Sequence, residues 1–172
     1  ILKMDLQFRL AKDADSKVIW NLLKMAILRR KKDGSNQWQD GYPNTEVIIN
    51  DIQKKYGYVL TLNDEIVGYC ALLVNDEPDY LHIEGEWLTH DDFIVFHRLA
   101  ISEKFLNKGL AKKMVSHIEQ FAISKNIHSV KADTNHDNTQ MLKLFKSLNY
   151  SFCGKVYIRK SPRKAFEKVL NN

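Results

Sequence analysis

Cysteine, proline and glycine are all scarce in this chain: two, three and seven residues among 172. Two cysteines cannot build a disulfide framework, and neither stands in a C-x-x-C pair or at zinc-ligand spacing from a histidine, so no metal site is expected. Cys70 and Cys153 both lie in apolar, strand-like segments. They read as reduced core thiols of a cytosolic protein, with a disulfide or a nucleophilic thiol as the alternatives. No apolar run approaches the roughly 20 residues that a membrane-spanning helix needs. The leading ILKMDLQFRLAK lacks the apolar core and small-residue cleavage site of a signal peptide. A cytoplasmic location without a membrane partner is the expectation. Blocks of five like charges are missing too. The basic clusters at Arg29–Lys32 and Arg159–Lys164 are short and carry no interleaved stacking aromatics, so nucleic acid is not an expected partner.

What is present suits a globular domain. Forty-four per cent of the residues are hydrophobic, enough at this length for one real core. We set residues 1–5 aside as an N-terminal tail and read 6–172 as a single domain. The net charge of +5 is spread along the chain and gives a mild positive field that favours a polyanionic small ligand.

The stretch from Phe93 to Lys125 organises the rest. Ile94-Val95-Phe96 and Leu99-Ala100-Ile101 have the dense apolar character of a buried strand. Gly109 then stands where a helix starts. Leu110, Met114, Val115, Ile118, Phe121 and Ala122 fall on one face of that helix, with polar residues between them. A strand, a glycine turn and a helix start leave several backbone N–H groups unpaired and aligned with the helix dipole. Residues 107–112 are therefore a candidate anion cradle, suited to a phosphate-bearing ligand.

Taken in order, the chain predicts a strand over 6–10, a helix over 16–32 and a polar, aromatic loop over 35–44. A short helix to about residue 55 and a hairpin of strands over 58–62 and 66–74 follow. The irregular, acidic stretch over 75–90 comes next, then the central strand and helix. A strand over 128–133, a helix over 139–148 and strands over 150–158 and 165–170 complete it. Strands alternate with helices only in the second half, which predicts an α/β chain with a mixed sheet, antiparallel early and parallel in the middle.

Two motifs in this string resemble those of the GNAT superfamily of acetyl-CoA-dependent N-acetyltransferases. The first is Leu99-Ala100-Ile101-Ser102-Glu103-Lys104-Phe105-Leu106-Asn107-Lys108-Gly109-Leu110-Ala111, against a hydrophobic strand followed by Gln/Arg-x-x-Gly-x-Gly/Ala. The second runs from Asn138 through Leu144-Phe145 to Asn149-Tyr150, against N-x-x-A-x-x-L-Y-x-x-x-G-F. The resemblance covers Leu6 to Leu170. It implies the GNAT fold, one domain with about four helices on a mixed sheet, and acetyl-CoA as co-substrate. By resemblance, Leu99, Ala100 and Ile101 pair with the pantetheine arm through main-chain groups. The segment Leu106, Asn107, Lys108, Gly109, Leu110, Ala111 and Lys112 receives the pyrophosphate, and Asn138 and Phe145 lie near the cofactor.

Three positions depart from the family pattern: Leu106 replaces a Gln or Arg, Phe145 replaces a Tyr that often acts as the acid, and Val95 stands where some members carry a Glu base. An attacking amine must still lose a proton. His97 is the first candidate base, because imidazole ordinarily titrates near neutral pH. Strand alternation puts it on one face with Val95, Leu99 and Ile101. Glu84 and Glu86 compete for the same role, while Tyr150, Cys153 and solvent are candidate acids. The resemblance places the acceptor groove at the helix–loop–helix region and the stretch before the central strand, which nominates Trp38, Gln39, Asp40, Tyr42 and Trp87. The reading is an N-acetyltransferase acting on a small-molecule or peptide amine, as a monomer or homodimer. The alternative is an acyl-CoA-binding regulatory or sensor module of the same fold.

Overall fold

The computed structural model describes residues 4–171. Met4 and Asp5 of the proposed tail are among them; Ile1–Lys3 lie outside the described residues. Eight strands and four α-helices follow one another: β1 (Leu6–Leu10), α1 (Ser16–Lys32), α2 (Thr45–Gln53), β2 (Gly57–Leu62), β3 (Glu65–Val74), β4 (Glu84–Gly85), β5 (Ile94–Ile101), α3 (Leu110–Ser124), β6 (Ser129–Thr134), α4 (Thr139–Ser147), β7 (Ser151–Ile158) and β8 (Ser161–Val169). The sheet is mixed, as the element order predicts. Its one addition is β4, two exposed residues inside the acidic stretch. Gly85 packs so closely on β7 that a side chain there would meet the Cys153 carbonyl at 2.2 Å. No two-residue strand leaves a periodicity to read, so only packing reveals this one.

The chain divides into two compact units, each made of two stretches. The first takes the chain up to Leu72 together with Arg98–His117. Here β1, β2 and β3 form an antiparallel ladder, with Phe8 opposite Leu60 and Val59 opposite Tyr69. The apolar stripe of α1 (Ile19, Leu22, Leu23, Ala26) buries against Val59, Tyr69 and Ala100, and Ile48 of α2 and Trp38 complete that core. Asn44 caps α2 by accepting from the Val47 N–H at 3.0 Å, as its position predicts.

The second unit takes Leu73–His97 with the chain from Ile118 on. β6 pairs with β5 in parallel and along its whole length with β8 in antiparallel. β7 pairs with β8, and β4 with β7. Two cores flank these strands. One is aromatic: Phe145 of α4 stacks on Phe166 at 4.5 Å between centroids, with Phe96 and Tyr150 beside it. The other holds Tyr80, Trp87, Val95, Cys153, Val156 and Ala165. A fully buried carboxylate anchors the acidic stretch to the second core. Glu167 accepts from the Leu88 N–H at 2.5 Å, the Thr89 hydroxyl at 2.6 Å and the Ser129 hydroxyl at 2.7 Å. A carboxylate can sit there because donors replace its lost hydration.

Candidate active site

β5 carries the site, and its backbone departs from an ordinary strand. The register Ile94–Val130 and Val95–Lys131 is all the pairing it makes with β6, yet β5 continues as a strand to Ile101. Past Val95 its edge toward β6 has N–H and C=O groups with no ladder partner there. Midway, Arg98 has φ +56, in the left-handed region. That conformation costs a non-glycine residue about 1–2 kcal/mol. The register against β3 shows the consequence. Eight residue steps separate Val67 from Asn75, while nine separate their partners Phe93 and Ser102. The extra residue is a bulge, and it corrects the alternation expected from sequence: His97 does not share a face with both Leu99 and Ile101.

A buried ion pair holds the bulge. Arg98 donates from Nη2 to Asp51 Oδ1 at 2.7 Å and from Nε to Asp51 Oδ2 at 3.0 Å. Its Nη1 donates to the Tyr42 hydroxyl, and the Tyr69 hydroxyl donates to Asp51 Oδ2 at 2.5 Å. Asp51 is 1% exposed and Tyr69 fully buried. Burial works against the Arg98 charge, but Tyr42 and Asp51 more than offset it and keep the guanidinium charged. Burial, followed by the Asp51 charge, pushes the Tyr69 hydroxyl far above its ordinary range, so it remains a donor. None of Asp51, Tyr69 and Arg98 is legible as a site residue from spacing, because three separate elements bring them together.

After β5, the Ser102 N–H donates to the Val67 carbonyl at 2.8 Å and fixes the strand end. The chain then reverses through Asn107 at φ +60 and Gly109 at φ +73 into α3. A Cβ at Gly109 would meet nothing within 4 Å, so glycine is required there by conformation rather than by crowding. Leu110 and Met114 are buried on one side, while Asn107, Lys108, Gly109 and Lys112 are exposed. This is the anion cradle expected from sequence, with its backbone open to a ligand. The donors at the start of a 15-residue helix and the small Gly109 suit a pyrophosphate. The unpaired edge of β5 suits an extended arm bearing amide groups. The geometry of this chain therefore fits acyl-CoA.

The preceding residue, His97, belongs to a different environment. Its Nε2 lies 2.7 Å from Glu77 Oε2, and its Nδ1 lies 3.9 Å from Asp133 Oδ2. Asp133 in turn accepts from the Tyr80 hydroxyl at 2.6 Å. Burial, then the Asp133 carboxylate, raises Tyr80 well above its ordinary range, so its proton stays on oxygen. The bond to Glu77 makes Nε2 the protonated nitrogen and leaves the Nδ1 lone pair to accept a proton. Glu77 and Asp133 were missed in the sequence. The register explains Asp133: Val95 pairs with Lys131, and two residues further along each strand stand His97 and Asp133.

The other nominated residues are placed as follows. Glu84 and Glu86 are exposed, Glu84 3.9 Å from Lys155 Nζ, and neither joins the His97 cluster. Tyr150 is buried and donates to Glu119 at 3.1 Å. Phe145 is 1% exposed in the aromatic core, and the Asn138 side-chain oxygen caps α4 by accepting from the Met141 N–H at 3.2 Å. Leu106 is half-buried beside the cradle and Ala111 half-buried in the first turn of α3. Trp38 sits in the core of the first unit, and Gln39 is exposed with its amide donating to the Ile27 carbonyl. Trp87 is buried, its indole N–H on the Tyr80 carbonyl and its ring face 4.5 Å from Lys131 Nζ. Phe93 covers the same ammonium at 4.2 Å, and burial pushes Lys131 down from the usual lysine range. Cys70 and Cys153 are both buried, unbridged thiols.

Residues 24–150 match the acetyltransferase (GNAT) family. A GNAT-family acetyltransferase structure from Streptococcus agalactiae is 33% identical, with a TM-score of 0.90 over 97% of this chain and 96% of the other. A Bacillus subtilis protein described as the uncharacterized N-acetyltransferase YesJ is 23% identical over 142 residues, covering 81% of this chain and 78% of its own. The acetyltransferase yncA of Salmonella typhimurium, solved with its cofactor acetyl-CoA, shares the fold at a TM-score of 0.68 and 15% identity, over 97% and 95% of the two chains.

Proposed function

Because the chain belongs to the acetyltransferase (GNAT) family, we propose that it transfers an acetyl group from acetyl-CoA directly to a primary amine, with His97 as the base. Residues 6–172 are read as one catalytic domain, and the intracellular co-substrate places it in the cytoplasm. Acetyl-CoA supplies an acyl group activated as a thioester. The backbone of Asn107–Lys112 binds its pyrophosphate, and the free edge of β5 at Leu99–Ile101 orients its pantetheine arm. His97 removes the proton that a primary amine carries at neutral pH, taking it at Nδ1. Glu77 fixes the ring through Nε2, and Asp133, oriented by Tyr80, faces the nitrogen that gains the proton. The observation that carries this reading is the half-buried imidazole held by a carboxylate on one nitrogen with a second carboxylate facing the other. A panel of amines assayed for release of free coenzyme A thiol tests it; no release with any amine, from protein that binds acetyl-CoA, overturns it.

One observation favours the second reading, a binding or sensor module. Val95 and Phe145 are buried hydrocarbons at positions where relatives by resemblance carry the base and the acid, and the Tyr150 hydroxyl is held by Glu119. Tight acetyl-CoA binding by calorimetry with no turnover across the panel would support that module instead.

A further inference from the structure

The ion pair between Asp51 and Arg98 does more than fill the core of the first unit. We propose that Asp51 is a positioning residue for acetyl transfer, acting through Arg98 on the bulge of β5; the proposal rests on the transferase reading above. Arg98 is peptide-bonded to His97 on one side and to Leu99 on the other. Its left-handed φ therefore sets the angle between the residue that takes the proton and the strand edge at Leu99–Ile101. A strained conformation persists only where its surroundings over-determine it. Here the surroundings are a two-point grip by Asp51 at 2.7 and 3.0 Å, the Tyr69 hydroxyl behind Asp51 at 2.5 Å, and the Tyr42 hydroxyl on the remaining terminal nitrogen.

The grip is more than the fold alone requires. A buried pair of opposite charges is usually no more stable than well-packed apolar residues of similar size. What an apolar pair cannot do is fix the rotation of one residue by two directional bonds. A guanidinium fork does this, because its planar geometry accepts a carboxylate in one orientation. Asp51 comes from α2, which directly follows the loop that holds Tyr42. The bulge is thus tied to the region nominated for acceptor binding.

The test uses the full chain, the best amine from the panel and acetyl-CoA. Asp51→Asn keeps the shape but loses the charge and one acceptor. The expected result is a fall in kcat of about tenfold or more, with the dissociation constant of acetyl-CoA by calorimetry and the KM of the amine both within about threefold. Asp51→Glu, which keeps the carboxylate, recovers part of the loss. The double replacement Asp51→Leu with Arg98→Met removes both charges and so leaves none unpaired. It is expected to unfold at a denaturant midpoint close to the unaltered protein's while its kcat stays low. Amide hydrogen exchange over residues 97–101 is expected to be faster in both variants. Full kcat in Asp51→Asn, or recovery of full kcat in the double variant, overturns the positioning role. If Asp51→Asn does not fold, the double variant decides. An unaltered protein that turns over no amine refutes the transferase reading instead, a failure visible before any variant is made.

Discussion

Arg98 and His97 are neighbours in the chain, yet their side chains live in opposite electrostatic surroundings. Arg98 is enclosed: each polar atom named around it is committed to another, and Asp51 and Tyr69 are shut off from water. His97 keeps 17% of its side-chain surface exposed, with one nitrogen on Glu77 and the other facing Asp133 at a distance too long for a hydrogen bond. The first arrangement is fully paired and can only hold a shape. The second has proton capacity to spare. A strand that passes from one to the other across a single peptide bond combines a rigid support with a titratable tip. Active sites need that combination, because a reacting group is useful only when its surroundings keep it in place.

The largest expected effect tests the open side. His97→Ala should lower turnover by about 10²–10⁴-fold, read as thiol release across the neutral pH range, while acetyl-CoA affinity stays within about threefold. Unchanged turnover at every pH would remove His97 from the chemistry and dissolve the contrast. Next comes the enclosed side. Tyr69→Phe deletes the hydroxyl that donates to Asp51 and leaves a buried carboxylate short of a partner, a loss of about 1–3 kcal/mol in urea unfolding. Its kcat should fall far less than that of His97→Ala; the reverse ranking would mean that the two regions have exchanged roles.

A smaller effect separates both from cofactor binding. Gly109→Val forces a β-branched residue into φ +73 and should weaken acetyl-CoA binding by about tenfold, measured by calorimetry. The proton-handling cluster would be untouched, so kcat at saturating acetyl-CoA should hold.

The smallest effect asks what burial does to an arginine–carboxylate pair. Arg9 and Asp15 make a similar two-point contact near the surface, at 2.8 and 3.1 Å. The Arg9 hydrogen bond, against a smaller opposing contribution from burial, holds Asp15 below the usual carboxylate range. A lowered carboxyl pKa contributes stability above its unfolded value and loses it as pH falls through the folded one. Arg9→Ala should therefore be slightly less stable at neutral pH, and the gap should close as pH drops below about 4. A gap that persists in acid would show that Arg9 acts by packing rather than by charge.

Much of the cofactor side was legible in advance. The anion cradle rests on the order of apolar residues and one glycine, and local periodicity reports both. The proton-handling side was only partly legible. His97 was singled out, but from strand alternation that the bulge at Arg98 breaks. Glu84 and Glu86 were nominated as its competitors for lying in an acidic stretch, whereas Glu77 from that stretch is the one on the ring. Nothing local distinguishes these glutamates; a 3-10 turn over Pro78–His82 and the short β4 set which of them faces inward.

By itself the sequence determined the helices and nearly every strand, the glycine turn at 109 and the family resemblance, because each depends on residues close together in the chain. The tertiary structure alone decided the bulge, the partners of Arg98 and His97, and the enclosure of Lys131 between Trp87 and Phe93. Each of these depends on register between strands distant in sequence. A shift of one residue there reverses which side chains meet, and no local pattern records it.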